Sequence, residues 1–269
     1  MIRQPAVAGR FYPDNPQVLA QVIRDLSPAS APVTPQQGIA AMVPHAGYAY
    51  SGAVAAETFA ALAIPPTVIL LGLNHRGLGA PIALSVADWQ MPMGTVRVNR
   101  ELGQRLVGKD SLITVDEQAH RTEHSIEVQL PFLQAIHPSS LTIVPIVVSH
   151  LSYRSCEELA TTLATTIDAA PEEILLVAST DMSHYEPRQS ATPRDTEVLQ
   201  QIERLDPRGV YDLVHSRNIS MCGIIPVTVT LLAAKALGAT TAKLIRYTDS
   251  GEASGDLEQV VGYAGMIIH

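Results

Sequence analysis

A histidine follows each of three short apolar runs of the sequence by a few residues. The pairs of run and histidine are Ile39–Val43 with His45, Val68–Leu71 with His75, and Ile174–Ala178 with His184. Each run has the length and branching of a buried strand, and sites in α/β sheets form beyond the C-terminal ends of strands. The three histidines and Asp181 are therefore expected to converge on one pocket, and imidazole nitrogen binds divalent metals readily. The alternative is that the histidines are loop residues that only cap nearby backbone. His150 follows the run Leu141–Val148 in the same way, and the pattern alone does not decide whether it belongs.

The sequence has two cysteines, Cys156 and Cys222. Cys222 lies just before a predicted helix over Ile225–Leu237, where the positive end of the helix dipole favours the thiolate. A thiolate is both a metal ligand and a nucleophile, whereas the alternative for Cys222 is an inert, small apolar residue. Cys156 is expected at an exposed position early in a helix over Tyr153–Ile167.

A second pattern competes with this pocket. Residues His120 to His124 read H-x-x-E-H, which is the inverzincin pattern of zinc proteases, with Glu123 as the base. The pattern requires an uninterrupted helix, and Pro131 would break or kink that helix. The alternative is a polar loop-to-helix junction that is capped by Thr122 or Ser125.

The elements that must position these residues alternate along the chain. Further strands are predicted at Ile82–Val86, Leu141–Val148, Ala242–Tyr247 and Val260–Ile268, and further helices at Gly52–Leu62, capped by Ser51, and at Thr192–Leu205. Strands that alternate with helices predict a single α/β domain with a largely parallel or mixed central sheet, flanked by helices. The Pro/Ser/Gln-rich stretch Ser27–Gln37 is predicted as a loop between an N-terminal helix and the first core strand.

Composition excludes several classes of function. The 269 residues include 46% hydrophobic residues, enough for a large core, and the formal net charge is −8 with only 18 basic residues. Nucleic acid and anionic membranes are therefore not expected as partners, because both require a basic surface. Neither a signal peptide nor a membrane span is recognisable, and two cysteines do not make a disulfide scaffold, so a cytoplasmic protein is expected.

Seven motifs, in one order along nearly the whole chain, resemble those of the Memo family. They are PAVAGRFYP (5–13), PHAGYAYSG (44–52), LGLNH (71–75), EHSIEVQLPFL (123–133), STDMSHY (179–185), MCG (221–223) and VVGYAGM (260–266). In bacteria and archaea the family is called AmmeMemoRadiSam system protein B. The resemblance implies one Memo-like domain over residues 1–269, with an AMMECR-type protein and a radical-SAM protein as partners.

The resemblance also implies a fold like that of class III extradiol dioxygenases, which are non-haem iron enzymes that cleave aromatic rings. The residues that match the family's metal ligands are His45, His75 and Cys222. Asp181 and His184 match further polar residues of the same pocket, and His124 matches a family histidine. We therefore expect Asp181, His184 and His124 as the catalytic residues.

One departure from the dioxygenases bears on function. They hold Fe(II) with two histidines and a carboxylate, whereas Cys222 takes the place of the carboxylate here, and a thiolate is a softer donor that can itself be oxidised. One divalent ion is expected, iron first and copper or zinc as alternatives. The favoured function is a non-haem iron oxidoreductase or dioxygenase acting on a small substrate. The alternatives are a non-enzymatic iron- or copper-binding module that docks protein partners, a hydrolase with Cys222 as nucleophile and His184 or His45 as base, and a zinc protease.

Overall fold

A mixed β-sheet forms the centre of the fold in the computed structural model, which describes residues 1–28, 34–108 and 111–269. The strands in these residues are β1 (Ile2–Arg3), β2 (Ala40–Val43), β3 (Thr67–Leu73), β4 (Ile82–Leu84), β5 (Asp88–Met91), β6 (Gly94–Val98), β7 (Thr114–Val115), β8 (Thr142–Val148), β9 (Ile174–Ser179), β10 (His184–Glu186), β11 (Ala242–Asp249) and β12 (Val260–Ile268). The helices are α1 (Pro16–Leu26), α2 (Tyr48–Ala60), α3 (Arg100–Leu106), α4 (Leu130–Ile136), α5 (Tyr153–Asp168), α6 (Arg188–Glu203), α7 (Pro207–Ser216), α8 (Ile224–Ala236) and α9 (Gly251–Ser254). None of the helices in these ranges is long and apolar enough to cross a membrane.

Five neighbouring strands of the sheet are parallel. They lie in the order β6, β8, β3, β9, β2, and each pairs in parallel with the next. Antiparallel pairs flank them, β12 with β2, β4 with β8 and β5 with β6. Because parallel strands end on the same edge of a sheet, β3, β9 and β2 finish side by side. These are the three strands that the sequence linked to His75, His184 and His45.

Buried side chains alternate between the two faces of the parallel strands. In β3, Ile69 and Leu71 pack into one apolar layer together with α5 and α8, whereas Val68 and Leu70 pack into the layer formed with α1, α2 and α4. Such alternation without any polar face is expected of strands that helices cover on both sides. The predicted fold class, a single α/β domain with a mixed sheet flanked by helices, is confirmed.

The predicted elements agree with the observed ones except at some boundaries. Each of the seven apolar runs predicted as strands overlaps an observed strand. The predicted Thr192–Leu205 helix is observed as α6, which begins four residues earlier and ends two residues earlier. The predicted capping by Ser51 is wrong, because α2 already begins at Tyr48, whose N–H donates to the carbonyl oxygen of Phe11. Within the predicted Ser27–Gln37 loop, residues 29–33 lie outside the described residues.

The predicted exposure of Cys156 is also wrong. Cys156 is the fourth residue of α5 and is completely buried. Leu159, Ala160 and Leu163 share its face of the helix, since they follow at the spacings of three, four and seven residues that place side chains on one side. Cys156 therefore belongs to the apolar layer between α5 and the sheet, where it acts as a small apolar side chain.

Candidate metal centre

The loops that follow β2, β3 and β9 meet at one edge of the sheet. His45, His75 and Asp181 each lie two residues beyond the end of their strand. Because β9 pairs with both β3 and β2, all three loops are close in space although the residues are far apart in sequence. Cys222 reaches the same place from the connection between α7 and α8.

The imidazole of His45 is buried and has a fixed tautomer. Its Nδ1 lies 2.9 Å from Oγ of Ser179, and that hydroxyl donates its single proton to the carbonyl oxygen of Ser125 at 2.5 Å. His45 must therefore donate from Nδ1 to the Ser179 hydroxyl oxygen. The side-chain amide of Gln129 donates to the same oxygen. Burial lowers the pKa of His45 well below its ordinary value, and the neighbouring histidine rings lower it further. The ring is neutral, with the lone pair of Nε2 available to a metal.

The imidazole of His75 is held by a carboxylate. Nδ1 donates to Oε1 of Glu123 at 2.9 Å, and the backbone N–H of His75 donates to Oε2 at 2.8 Å. The backbone N–H groups of His124 and Ser125 also donate to Oε1. Burial alone would raise the pKa of Glu123, but the bond from His75 and the nearby His75 and His124 rings lower it to about 2. The ionised carboxylate leaves Nε2 of His75 free, as in carboxylate–histidine–metal arrangements.

The backbone brings the Cys222 sulfur close to the end of β9. The next residue, Gly223, donates its N–H to Oγ1 of Thr180 at 2.9 Å. A Cβ atom at Gly223 would overlap the Thr180 side chain and would lie 2.8 Å from the carbonyl oxygen of Ser179. The absence of a side chain at position 223 therefore allows this close approach. The backbone N–H of Asp181 donates to Sγ of Cys222 at 3.3 Å.

The protonation of Cys222 depends on more than the helix that follows it. α8 begins at Ile224, one residue before its predicted start, but burial raises the pKa of the thiol well above its ordinary value, and the Asp181 carboxylate adds to the rise. The bond from the Asp181 N–H acts in the opposite direction but is outweighed. A thiolate in this position therefore needs a cation beside it.

Three donor atoms converge on one point. One ligand atom each from His45, His75 and Cys222 lies within 4.8 Å of the others, and Sγ of Cys222 is 3.3 Å from Nε2 of His45. Ligands around a bound zinc-sized ion are roughly 3–4 Å apart, so this donor set fits one divalent metal ion after a small contraction. His75, Glu123 and His124 form a second such group. Four N–H donors already occupy the Glu123 carboxylate, so it serves to orient His75.

Asp181 lies beside these donors, and His184 is near enough for its ring to lower the pKa of both His45 and Asp181. One oxygen of Asp181 accepts a hydrogen bond from the backbone N–H of His45 at 2.7 Å. The other oxygen lies 3.9 Å from Nε2 of the His45 ring. Burial raises the pKa of Asp181, although the His45 N–H and the His184 ring act against the rise. Nδ1 of His184 lies 2.8 Å from the carbonyl oxygen of Met182 and 2.9 Å from that of Ser220. Because carbonyl oxygens only accept, Nδ1 carries the proton and Nε2 is free.

His124 stacks on the open side of the centre. Its ring centroid is 4.5 Å from that of His75 with an interplanar angle of 22°, and 5.5 Å from that of His45. Phe11 of the N-terminal segment makes an edge contact with it at 4.8 Å. Burial lowers the pKa of His124 to about 4, so the ring is neutral at physiological pH. The structure thus brings His124 together with the predicted metal ligands.

The H-x-x-E-H pattern does not form a protease site. Residues 118–122 make turns and none of residues 117–124 is helical, so His120 and His124 do not share a helical face. His120 is buried, and its Nε2 lies 2.9 Å from the carbonyl oxygen of Ala83. Neither Thr122 nor Ser125 caps the helical turns that follow, so that prediction is also wrong.

The sequence did not identify two residues that orient the centre, and it left His150 open. His150 is exposed beyond β8 and belongs to neither of the metal-capable groups found among the described residues. Ser179 and Gln129 orient His45, and both lie within motifs that resemble the Memo family. Glu123, which the H-x-x-E-H pattern predicts as a protease base, instead orients His75. The clue available in the sequence was a polar residue inside each motif, but its hydrogen-bonding partner cannot be read from the sequence.

Comparisons with known proteins identify the family of the chain. The sequence profile described as Memo-like protein matches residues 3–267. MEMO1 family proteins of Methanosarcina barkeri and Aquifex aeolicus are each 41% identical over 267 residues, covering 99% of this chain and 100% and 98% of the relatives. The crystal structure of an uncharacterized protein from Escherichia coli K12 has a similar fold, with a TM-score of 0.55, 13% identity, and coverage of 85% of this chain and 98% of that one. The chain therefore belongs to the Memo family.

Proposed function

We propose that this protein is a metal-dependent oxidoreductase that acts on a small substrate and holds one divalent ion with His45, His75 and Cys222. The observation that carries the proposal is the convergence of three donor atoms within 4.8 Å of one another at the C-terminal edge of the parallel strands. Both imidazoles have Nδ1 bound to an acceptor, so each directs an unprotonated Nε2 as a donor. Such second partners are typical of histidines that bind metals.

Iron is the proposed metal because the motifs resemble the Memo family, whose fold is like that of class III extradiol dioxygenases. A redox-active ion in such a site supplies electron transfer and the activation of O2. Copper also suits two histidines and a thiolate, and zinc accepts the same donors, so both remain alternatives. The thiolate replaces the carboxylate of the dioxygenases, so the proposed reaction is oxidoreduction in general and not only ring cleavage.

The surrounding residues have distinct proposed roles. Asp181 adds a carboxylate beside the donors and offsets the positive charge that remains on an ion bound by one thiolate. His184 keeps Nε2 free and is proposed to accept or donate a proton on the substrate. His124 forms part of the open wall near the half-exposed His75, where a substrate would enter.

The second candidate is a metal-binding module without enzymatic activity that docks protein partners. The thiolate ligand favours it, because a buried sulfur donor binds iron or copper strongly and is easily oxidised during turnover with O2. An AMMECR-type protein and a radical-SAM protein are the proposed partners, and the cytoplasm is the proposed location. A hydrolase remains the third candidate because Sγ of Cys222 is 3.3 Å from Nε2 of His45.

Metal analysis of the protein purified without added metal tests the proposal. We expect close to one equivalent of iron in the wild-type chain and in Cys156→Ala, which changes the other cysteine, and a loss of metal in Cys222→Ser. Wild-type protein without metal, or metal retained by Cys222→Ser, would contradict the proposed centre.

Activity measurements separate the three candidates. Protein loaded with Fe(II) under anaerobic conditions is given O2 and catechol-like substrates, and an oxidoreductase consumes O2 in a substrate-dependent manner. Stoichiometric metal without turnover favours the docking module, which is then tested by co-purification with the two proposed partners. For the hydrolase, alkylation of Cys222 abolishes activity even with a chelator present, whereas a thiol that reacts only after metal removal is a ligand.

A further inference from the structure

A groove beside the metal centre contains arginine side chains that the proposed function does not use. Its volume is about 1000 Å³, and its walls come from the N-terminal segment and from the loops around Arg76 and Arg121. Arg76 directly follows His75, and Thr122, which also lines the groove, directly precedes Glu123. Two of the loops that form the groove therefore continue directly into the centre, although none of the proposed metal ligands lines the groove.

Three guanidinium groups in the groove have no acidic partner. Arg10, Arg76 and Arg121 form no ion pair with any carboxylate in the described ranges 1–28, 34–108 and 111–269. The side chain of Arg10 donates to one carbonyl oxygen, and the other two make no side-chain hydrogen bond there. The lining carboxylate, Glu117, accepts hydrogen bonds from one serine hydroxyl and two backbone N–H groups. The groove is thus locally basic in a protein with a net charge of −8.

A fourth arginine makes the wall of the groove rigid. Arg3 is buried, pairs with Glu127 at 2.7 Å, and lies over the ring of Trp89 at 3.9 Å. Its remaining donors bind the carbonyl oxygens of His120 and Glu123. Because these bonds fix the N-terminal segment, the groove is formed before any ligand binds, which lowers the entropy lost on binding.

The lining indicates what kind of ligand fits. Planar guanidinium groups bind carboxylate and phosphate oxygens in bidentate geometry, which favours an oxyanion. Ile2, Pro5 and Ala87 line the same groove and provide apolar contact. A volume of this size holds an organic molecule and not merely an ion. Three arginines are too few for a nucleic acid, which requires an extended basic surface.

We propose that the groove lined by Arg10, Arg76 and Arg121 binds a small organic anion with a carboxylate or phosphate head and an apolar body. The proposal goes beyond the proposed function and needs no metal. It can therefore fail while the metal centre stands, or stand while the metal centre fails.

Calorimetric titration of the metal-free full-length chain at low ionic strength tests the proposal. The probes are butyl phosphate, phthalate and inorganic phosphate, which distinguish a phosphate head, a carboxylate head and a bare anion. The test variant is Arg76→Gln with Arg121→Gln. The control is Arg97→Gln with Arg204→Gln, which removes the same charge at two exposed arginines outside the groove, neither of which forms an ion pair in the described part of the chain.

We expect butyl phosphate or phthalate to bind the wild-type chain with a Kd of roughly 0.1–1 mM. The groove variant should weaken binding at least about tenfold, whereas the control should stay within about twofold. Both variants should unfold at the wild-type temperature, because none of the four side chains makes a hydrogen bond among the described residues. No binding of either organic probe, equal loss in both variants, or equal affinity for inorganic phosphate and butyl phosphate would overturn the proposal.

Discussion

The two imidazoles of the proposed metal centre are held in different ways on its two sides. The His45 side chain is 2% exposed and donates to the hydroxyl of Ser179, whereas the His75 side chain is 29% exposed and donates to the Glu123 carboxylate. The buried side already contains the Asp181 carboxylate. A second buried carboxylate there would add repulsion without solvent to weaken it.

The two orienting groups differ in charge, and this difference predicts different effects on the imidazoles that they bind. Glu123 is itself buried although the His75 ring is not, and it stays ionised because four N–H donors stabilise its charge. A carboxylate makes the imidazole it binds a stronger donor, while a neutral hydroxyl mainly fixes the direction of the ring. We therefore expect the buried side to govern stability and the open side to govern metal affinity beyond direct ligation.

The largest expected effect comes from removing each imidazole in turn. His45→Ala and His75→Ala should each lower metal affinity by more than about 100-fold, because a direct donor is lost. In the metal-free protein, His45→Ala should lower the free energy of unfolding by about 2–3 kcal/mol, since it leaves a buried cavity and unpaired polar groups. His75→Ala should lower it less, because Glu123 keeps three backbone N–H donors. Competition with a chelator measures affinity, and urea unfolding measures stability. Equal destabilisation by both variants would remove the distinction between the two sides.

The histidines of this comparison could be predicted from the sequence because they lie beyond recognisable strands. The runs that became β2, β3 and β9 are apolar and β-branched, and turn residues end them, so the sheet edge followed from local patterns. Cys222 could be singled out because it lies just before a predicted helix, but only the motif resemblance linked it to the two histidines. These features are local or repeated in a family, which is why the sequence was sufficient.

The orienting groups could not be predicted, because they depend on contacts between distant segments. Ser179 precedes Asp181 within one motif, but only the fold shows that its hydroxyl accepts a hydrogen bond from Nδ1 of His45. Glu123 is 48 residues from His75, and the pattern around it suggested a helix that does not form. The burial of Cys156, in contrast, could have been inferred from its spacing to Leu159 and Leu163 along α5.

A smaller effect is expected from Glu123→Gln on the open side. The amide keeps the shape of the side chain, but its NH2 group would face the backbone N–H of His75, and the negative charge beside the imidazole is lost. Metal affinity should fall about 10–100-fold. The matched control is Glu57→Gln, which changes a carboxylate of α2 that forms an ion pair with Arg246. It should keep wild-type affinity. Unchanged affinity in Glu123→Gln would show that the carboxylate does not tune the centre.

The smallest effect on affinity is expected from Ser179→Ala on the buried side. The hydroxyl of Ser179 accepts from His45 and Gln129 and donates to the carbonyl oxygen of Ser125, so its removal leaves three buried groups without this partner. The free energy of unfolding of the metal-free protein should fall by about 1–3 kcal/mol. Metal affinity should fall by no more than about tenfold, because the surrounding side chains still restrict the buried ring. Affinity and stability are measured as for the histidine variants.

The expected pattern is the reverse of Glu123→Gln, with stability affected more than affinity. If Ser179→Ala instead abolished metal binding at unchanged stability, the hydroxyl would be tuning the donor as the carboxylate does, and burial would not explain why the two sides differ.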